Sequence, residues 1–312
     1  MAAENVGKPY KVSNSEIQNF KDCRRKWYFQ HYRDLMPKRV KVNGPLALGT
    51  RVHAALEVFY RDGRDLIEAY NEFLDDDVAI AEAEWLDVDA VKSEGEMGRI
   101  MLEGYLDWIA DEGIDAGYDI ISNEETLEMP MLDGKVVLRG KLDQRVRRKS
   151  DGTRLIRDFK TVGQSFDQFT KILHLNEQIM TYMILEAYHN TPEDRSDGVE
   201  FIMLKKNKRT AAAKPPFYGR EEILHNEYTL RNFWTSLHSV VDDLYNTKLA
   251  LENGADHHQV AWKRPSQDCT WKCPYFSICG MVDDGSAVEE AIADHYVVGN
   301  PDERYDEKKG TE

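Results

Sequence analysis

The chain has 312 residues, 41% of them hydrophobic and 31% charged, and a formal net charge of −15. That length and apolar content can build one large domain or two ordinary ones, while the acidity excludes indiscriminate coating of nucleic acid, so any such contact must come from local basic patches. No apolar run approaches bilayer length and the N-terminus has no apolar signal core, which points to a soluble, cytoplasmic protein; four cysteines then suggest metal or reactive thiols rather than disulfides.

Residues 1–12 are expected to form a tail. Ser13 and Glu16 make a capping box for a helix whose apolar stripe is Ile17, Phe20, Trp27 and Tyr28. Cys23 lies on that stripe and faces inward, by itself a small buried hydrophobe. Arg24, Arg25 and Lys26, with Lys38 and Arg39, are interleaved with Trp27, Tyr28, Phe29 and Tyr32. Such a mixture either holds phosphates and stacks bases or is a solvated helix face. Pro45 and Gly49 precede a second helix with Val52, Leu56 and Phe59 as its buried stripe, and His53 stands beside that stripe. Residues 61–113 are acid-rich and helical, an insert unsuited to a DNA surface. Strands are expected over 118–122 and 126–131, with Glu124 and Glu125 solvated or adding an acid to a site, and Asp133-Gly134 supplies a hairpin turn.

The central stretch runs from Leu138 to Thr161. Leu138, Leu142 and Val146 point one way along an alternating strand, and Arg139, Lys141, Asp143 and Arg145 the other. Ser150-Asp151-Gly152 turns the chain into a second strand in which Asp158 and Lys160 share a face. A two-residue loop sets Asp143 opposite Asp158 or Lys160; a three-residue loop sends it to the wrong face. Two adjacent carboxylates either raise one pKa or call for a cation, for which hard oxygen ligands suit Mg²⁺ or Mn²⁺. Salt-bridged surface charges are the alternative.

A helix is predicted over 167–188, with Gln178 and Tyr182 on one face. A strand over 199–204 ends in the basic residues Lys205, Lys206, Lys208 and Arg209, solvated or a phosphate track. A long helix over 228–252 follows, and the adjacent His257 and His258 read as surface residues. Cys269, Cys273 and Cys279 complete, with Cys23, a set of four thiols suited to tetrahedral Zn²⁺ or a [4Fe–4S] cluster.

Asp143 followed one hairpin later by Asp158-Phe159-Lys160 resembles the PD-(D/E)XK nuclease motif. Gly49-x-x-x-His53 and Gln178-x-x-x-Tyr182 resemble elements of its RecB-like branch. Cys23 with the C-terminal triplet resembles the iron–sulfur staple of CRISPR-associated exonucleases and AddB-type helicase-nucleases. The resemblance spans Ser13 to Gly280 with one departure: Thr270-Trp271-Lys272 puts three residues between the first two triplet cysteines, where the family has two. It implies an α/β (α+β) fold, a restriction-endonuclease-like mixed sheet flanked by helices. One nuclease domain over 13–280 would include the helical insert, with the cluster joining the termini and an acidic tail over 281–312. It further implies a metal-dependent DNA exonuclease acting on single strands or DNA ends, inside a bacterial or phage-infected cell, alongside recombination or replication proteins. On that pattern Asp143, Asp158, His53 and the Phe159 carbonyl hold Mg²⁺ or Mn²⁺, Lys160 positions water, and Gln178 and Tyr182 hold the strand. A DNA-binding recombination subunit with a dormant site is the rival reading. A redox protein is disfavoured, because no flavin or nicotinamide signature is present.

Overall fold

The computed structural model describes residues 8–38, 41–210, 212–302 and 305. In chain order the helices are α1 (Asn14–Asp22), α2 (Arg24–Trp27), α3 (Pro45–Asp62), α4 (Leu66–Ala83), α5 (Val88–Asp111), α6 (Phe166–Thr170), α7 (Glu177–His189), α8 (Glu227–Glu252), α9 (His257–Val260), α10 (Cys269–Lys272), α11 (Phe276–Cys279), α12 (Met281–Asp284) and α13 (Val288–His295). The strands are β1 (Tyr10–Ser13), β2 (Leu35–Pro37), β3 (Tyr118–Met131), β4 (Val136–Arg148), β5 (Arg154–Val162), β6 (Gly198–Lys205), β7 (Tyr218–Leu224) and β8 (Tyr296–Val298). The chain divides into two compact units, one from Met1–Val40, Glu128–Gly140 and Arg231–Glu312, the other from Lys41–Leu127 and Lys141–Leu230. No helix among the described residues is long and apolar enough to cross a membrane.

In the second unit β4 pairs antiparallel with β5, β5 parallel with β6, and β6 antiparallel with β7, while β3 joins β4 on its other side. Nearly every residue of β6 is buried, the pattern of a parallel strand covered on both faces. The expected insert is α4 and α5, which with α3 pack Leu48, Val52, Leu56, Tyr70, Met101 and Tyr105 onto Phe159, Ile202 and Leu204. Where two strands were expected over 118–131 the chain forms one, broken in conformation by Glu124 at φ 52°. The helix expected over 167–188 is also interrupted. Asn176 accepts hydrogen bonds from the Gln178 and Ile179 amides and starts α7 afresh, so local capping overrides the continuous apolar period.

In the first unit β1 runs parallel to Val136–Arg139 of β4, so Tyr10–Val12 belong to a sheet, not to the expected tail. Ser13 caps α1 as predicted, accepting from the Glu16 amide at 3.3 Å. The Glu16 carboxylate, though, turns inward and accepts from Tyr10 Oη and from Trp27 Nε1 at 2.8 Å. α1 stops at Cys23, whose extended backbone (φ −161°) separates it from α2.

The acidic tail predicted from residue 281 is instead folded through 298. Val288 and Ile292, one turn apart on α13, and Tyr296 at the start of β8 pack with Phe29, Leu35, Tyr275 and Ile278. β8 closes on β2, Glu289 takes both guanidinium nitrogens of Arg33 at 2.8 Å, and Asp302 is buried against Arg139 at 2.8 Å. Net acidity hid this apolar period because the charges occupy the opposite helix face. Residues 1–7, Arg39, 303–304 and 306–312, each within an expected tail or basic patch, lie outside the described residues.

Burial pushes the Glu16 carboxyl up from 4.5 to about 8, against the opposing effect of the Tyr10 and Trp27 donors. A carboxyl raised in the folded chain contributes stability that is complete below its unfolded value and lost as pH climbs through the folded one. Thermal unfolding of wild type and Glu16→Gln between pH 5 and 9 should therefore show the wild type losing ground as pH rises to about 8 and levelling off above it. A difference between the two that does not change with pH would remove Glu16 as the cause.

Candidate active site

The β4–β5 ladder pairs Gln144 with Arg157 and Arg147 with Arg154. The Arg148 amide bonds the Thr153 carbonyl at 2.8 Å across a four-residue loop where a two-residue one was expected, because the Lys149 amide turns away to the Gly117 carbonyl; the parity is the same, so the register continues to Asp143 opposite Asp158. Asp143 enters the mouth of the hairpin, where its Oδ2 accepts the Phe159 amide hydrogen at 3.0 Å and lies 3.6 Å from His53 Nδ1 on α3. Asp158 is 4% exposed. Burial raises its carboxyl, Lys160 works against that shift, and neighbouring Asp143 adds to it.

From Asp158 the contacts run outward in a chain. Lys160 Nζ lies 2.7 Å from Asp158 Oδ2 and donates to Gln178 Oε1 at 3.2 Å. Gln178 Nε2 in turn donates to Tyr182 Oη at 2.9 Å. Gln178, Tyr182 and Glu186 recur every four residues and so share one face of α7. Glu186, fully buried, holds Arg145 of β4 at 2.7 Å and accepts from the Ser196 amide at 3.0 Å. One face of α7 is thus fastened to the strand face that carries Asp158 and Lys160.

The opposite face of β5 is clamped as well. Arg157, with no exposed surface, donates from Nε to Glu200 Oε2 at 2.7 Å and from Nη1 to Asp115 at 3.0 Å and Gln144 at 3.2 Å. Tyr118 Oη donates to the other Glu200 oxygen at 2.8 Å. Gln144, Arg157 and Glu200 are successive register partners on three strands, so this network pins the register that aligns Asp143 with Asp158.

Sequence reasoning missed Glu57 and the pairing of Lys141, while Glu124, left as solvated or as an acid added to a site, is shielded and meets the same ammonium. Lys141 Nζ lies 2.7 Å from Glu124 and 3.4 Å from Glu57. Burial pushes the Glu124 carboxyl up to about 7 against its hydrogen bond to Lys141, with Asp143 and Glu57 adding to the rise. The available signals were the four-residue step from His53 to Glu57 and the shared parity of Lys141 and Asp143.

In the first unit all four cysteines line one cavity of about 510 Å³, with Arg25, Lys26, Lys263 and Arg264 also in its wall. Cys23 Sγ accepts the Arg264 amide and Cys269 Sγ the Ser266 amide, both at 3.4 Å. Burial raises the Cys273 and Cys279 thiols, opposed at Cys273 by the Tyr275 amide and at Cys279 by Arg25. A second buried group brings ligand atoms of Glu16, His31 and Asp302 within 4.8 Å of one another, but its carboxylates already accept from Tyr10, Trp27, Ser13 and Arg139.

Several cations expected to face phosphates are engaged within the fold. Arg25 is 2% exposed; its guanidinium donates to the Ala261 carbonyl at 3.0 Å and to Asp283 at 3.2 Å, so it is a structural group rather than a surface one. Arg24 lies over Phe20 and Trp262 and pairs with Asp243. Lys205 donates to the carbonyls of Gly163 and Gln164, Lys206 to that of Pro45, and Arg209 stacks on Phe217 at 3.9 Å. Lys26 is half-buried and Lys208 exposed.

The family model of the PD-(D/E)XK nuclease superfamily matches residues 11–280, and the chain belongs to that superfamily. Its mixed sheet flanked by helices is the restriction-endonuclease-like arrangement expected from the motif. A crystal structure of SSO0001 aligns over 88% of this chain and 89% of its own, at 12% identity and a TM-score of 0.37. No curated protein matches.

Arg145→Met would leave Glu186 buried with its ion-pair partner gone, a loss of about 3–5 kcal/mol. The double variant Arg145→Met/Glu186→Leu should recover much of it. Denaturant unfolding of the single and double variants measures both, and a double variant at least as unstable as the single one would refute the anchoring role of this pair.

Proposed function

We propose that this chain is a divalent-metal-dependent deoxyribonuclease of the RecB-like kind, acting exonucleolytically on single strands or DNA ends. The observation that carries the reading is the gathering of two sets of contacts, His53 with Asp143, and Asp158 with Lys160, Gln178 and Tyr182, with Asp143 and Asp158 near enough to repel. Two carboxylates brought together by strand register, one of them buried, suit a hard dication better than they suit each other. Asp143, Asp158, His53 and the Phe159 carbonyl would hold Mg²⁺ or Mn²⁺, which when bound supplies charge stabilisation to the phosphate and acidifies a coordinated water.

The chain's own groups do the rest. Lys160 orients the attacking water, whose oxygen bonds to phosphorus as the phosphorus–oxygen bond to the leaving nucleotide breaks and the leaving oxygen takes up a proton. The Lys160 ammonium also offsets charge developing on the phosphoryl oxygens. Gln178 fixes Lys160 from α7 and, with Tyr182, holds the strand. Lys26 and Lys208 keep their ammonium groups near or at the surface and are assigned to phosphate contact. Such an activity fits recombination, repair or replication of DNA in a bacterial or phage-infected cell.

Cys23, Cys269, Cys273 and Cys279 are assigned to a [4Fe–4S] cluster. In support, the shared cavity admits more than a single ion, amide hydrogens already point at two of the sulfurs, and four cations line its wall. Thiolate ligation would set negative charge against this basic wall and cross-link the α1–α2 junction with α10 and α11. Zinc on the same thiols is the competing occupant.

Two measurements test this reading. Asp158→Ala should abolish Mn²⁺-dependent cleavage of single-stranded DNA, a loss of at least a thousandfold, with the fold intact by circular dichroism; retained cleavage would refute the site. Cys273→Ala should strip iron from anaerobically purified protein, bleach its visible absorbance and lower its melting temperature. Undiminished iron in that variant would remove Cys273 from the ligand set, and zinc in place of iron in the wild type would overturn the cluster.

A further inference from the structure

The strand face that presents Asp143 also presents Lys141, two residues earlier on β4. Its ammonium is held between acids that the hydrolytic scheme above leaves without a task, Glu124 Oε2 at 2.7 Å and Glu57 Oε2 at 3.4 Å. All three side chains are shielded, at 24%, 15% and 12% exposure for Lys141, Glu124 and Glu57. Glu57 stands one helical turn beyond His53 on α3, so it shares the helix face that brings the imidazole to Asp143. Glu124 comes from the other side, out of a left-handed residue inside β3. A non-glycine side chain adopts that conformation only at a cost, and here the kink coincides with the carboxylate reaching Lys141.

Counting charges decides what this arrangement can hold. Glu57 pairs through its other oxygen with Arg61, so on this side of the site two acids, Glu57 and Glu124, already meet two cations, Lys141 and Arg61. A dication added there would find no unbalanced negative charge, whereas Asp143 and Asp158 repel each other with the Lys160 ammonium beside them to offset it. A tethered ammonium between two carboxylates is also present at any metal concentration, whereas a second ion would have to displace it.

Resting on the hydrolytic reading, we infer that Lys141 is the resident second cation of the site: its ammonium takes the place between Glu57 and Glu124, beside Asp143, that a second divalent ion would otherwise occupy. The site is therefore restricted to one metal ion, and Lys141 acts as a positioning residue for Asp143 and His53 rather than on the phosphodiester itself.

The test counts Mn²⁺ bound to the full chain by equilibrium dialysis, for wild type, Asp158→Asn, Lys141→Met and Lys141→Met/Glu124→Gln, without reference to cleavage. Asp158→Asn should lose one ion per chain relative to wild type. Lys141→Met should gain one, and adding Glu124→Gln should abolish the gain. If Asp158→Asn loses an ion but Lys141→Met gains none, or the gain survives Glu124→Gln, the second-cation role is wrong while the nuclease site stands. If Asp158→Asn loses no ion, both readings fall. Because Met leaves two acids facing each other, Lys141→Gln, which retains a donor for both, is counted in its place if Lys141→Met does not fold.

Discussion

Like charge brought together is the constraint on which the second unit depends. The register of β4 on β5 aligns Asp143 with Asp158, and burial of Asp158 makes the repulsion harder to escape through solvent. The fold meets it with a backbone amide on Asp143, an ammonium on Asp158, and a buried ion-pair lattice of Arg157, Glu200, Gln144 and Asp115 on the far face of the same strand. Such a lattice adds little net stability over apolar packing, because desolvation offsets most of the Coulombic gain. Its value here is specificity of register, since a one-residue slip would turn every side chain of the strand to the other face and separate the two aspartates.

The same economy of charge governs the rest of the molecule. With a net charge of −15, the chain has more acids than cations, and many of its cations are taken up internally. Arg25 ties α2 to Asp283, Arg145 fastens α7, Arg33 holds α13, and Lys205 and Lys206 close backbone carbonyls. A basic run in the sequence is for that reason a poor guide to a basic surface here. Around the cysteine cavity the same holds in part: Asp283 pairs with both Arg25 and Lys263, while Lys26 and Arg264 also line the wall beside the four thiols.

Patterns of short range were legible before any coordinates. The Ser13 cap, the buried stripe of α3 with His53 beside it, the even loop that brings Asp143 to Asp158, and the four-residue step from Gln178 to Tyr182 all follow from the helical and strand periods, which depend only on neighbours along the chain. Tertiary structure alone decided the rest. It folded residues 281–298 against Phe29 and Leu35, turned Glu16 inward, and placed Glu57 and Glu124 around the Lys141 ammonium. Those outcomes hinge on partners far off in sequence, where burial and charge pairing outweigh local preference, and a linear period carries no record of which distant acid meets which base.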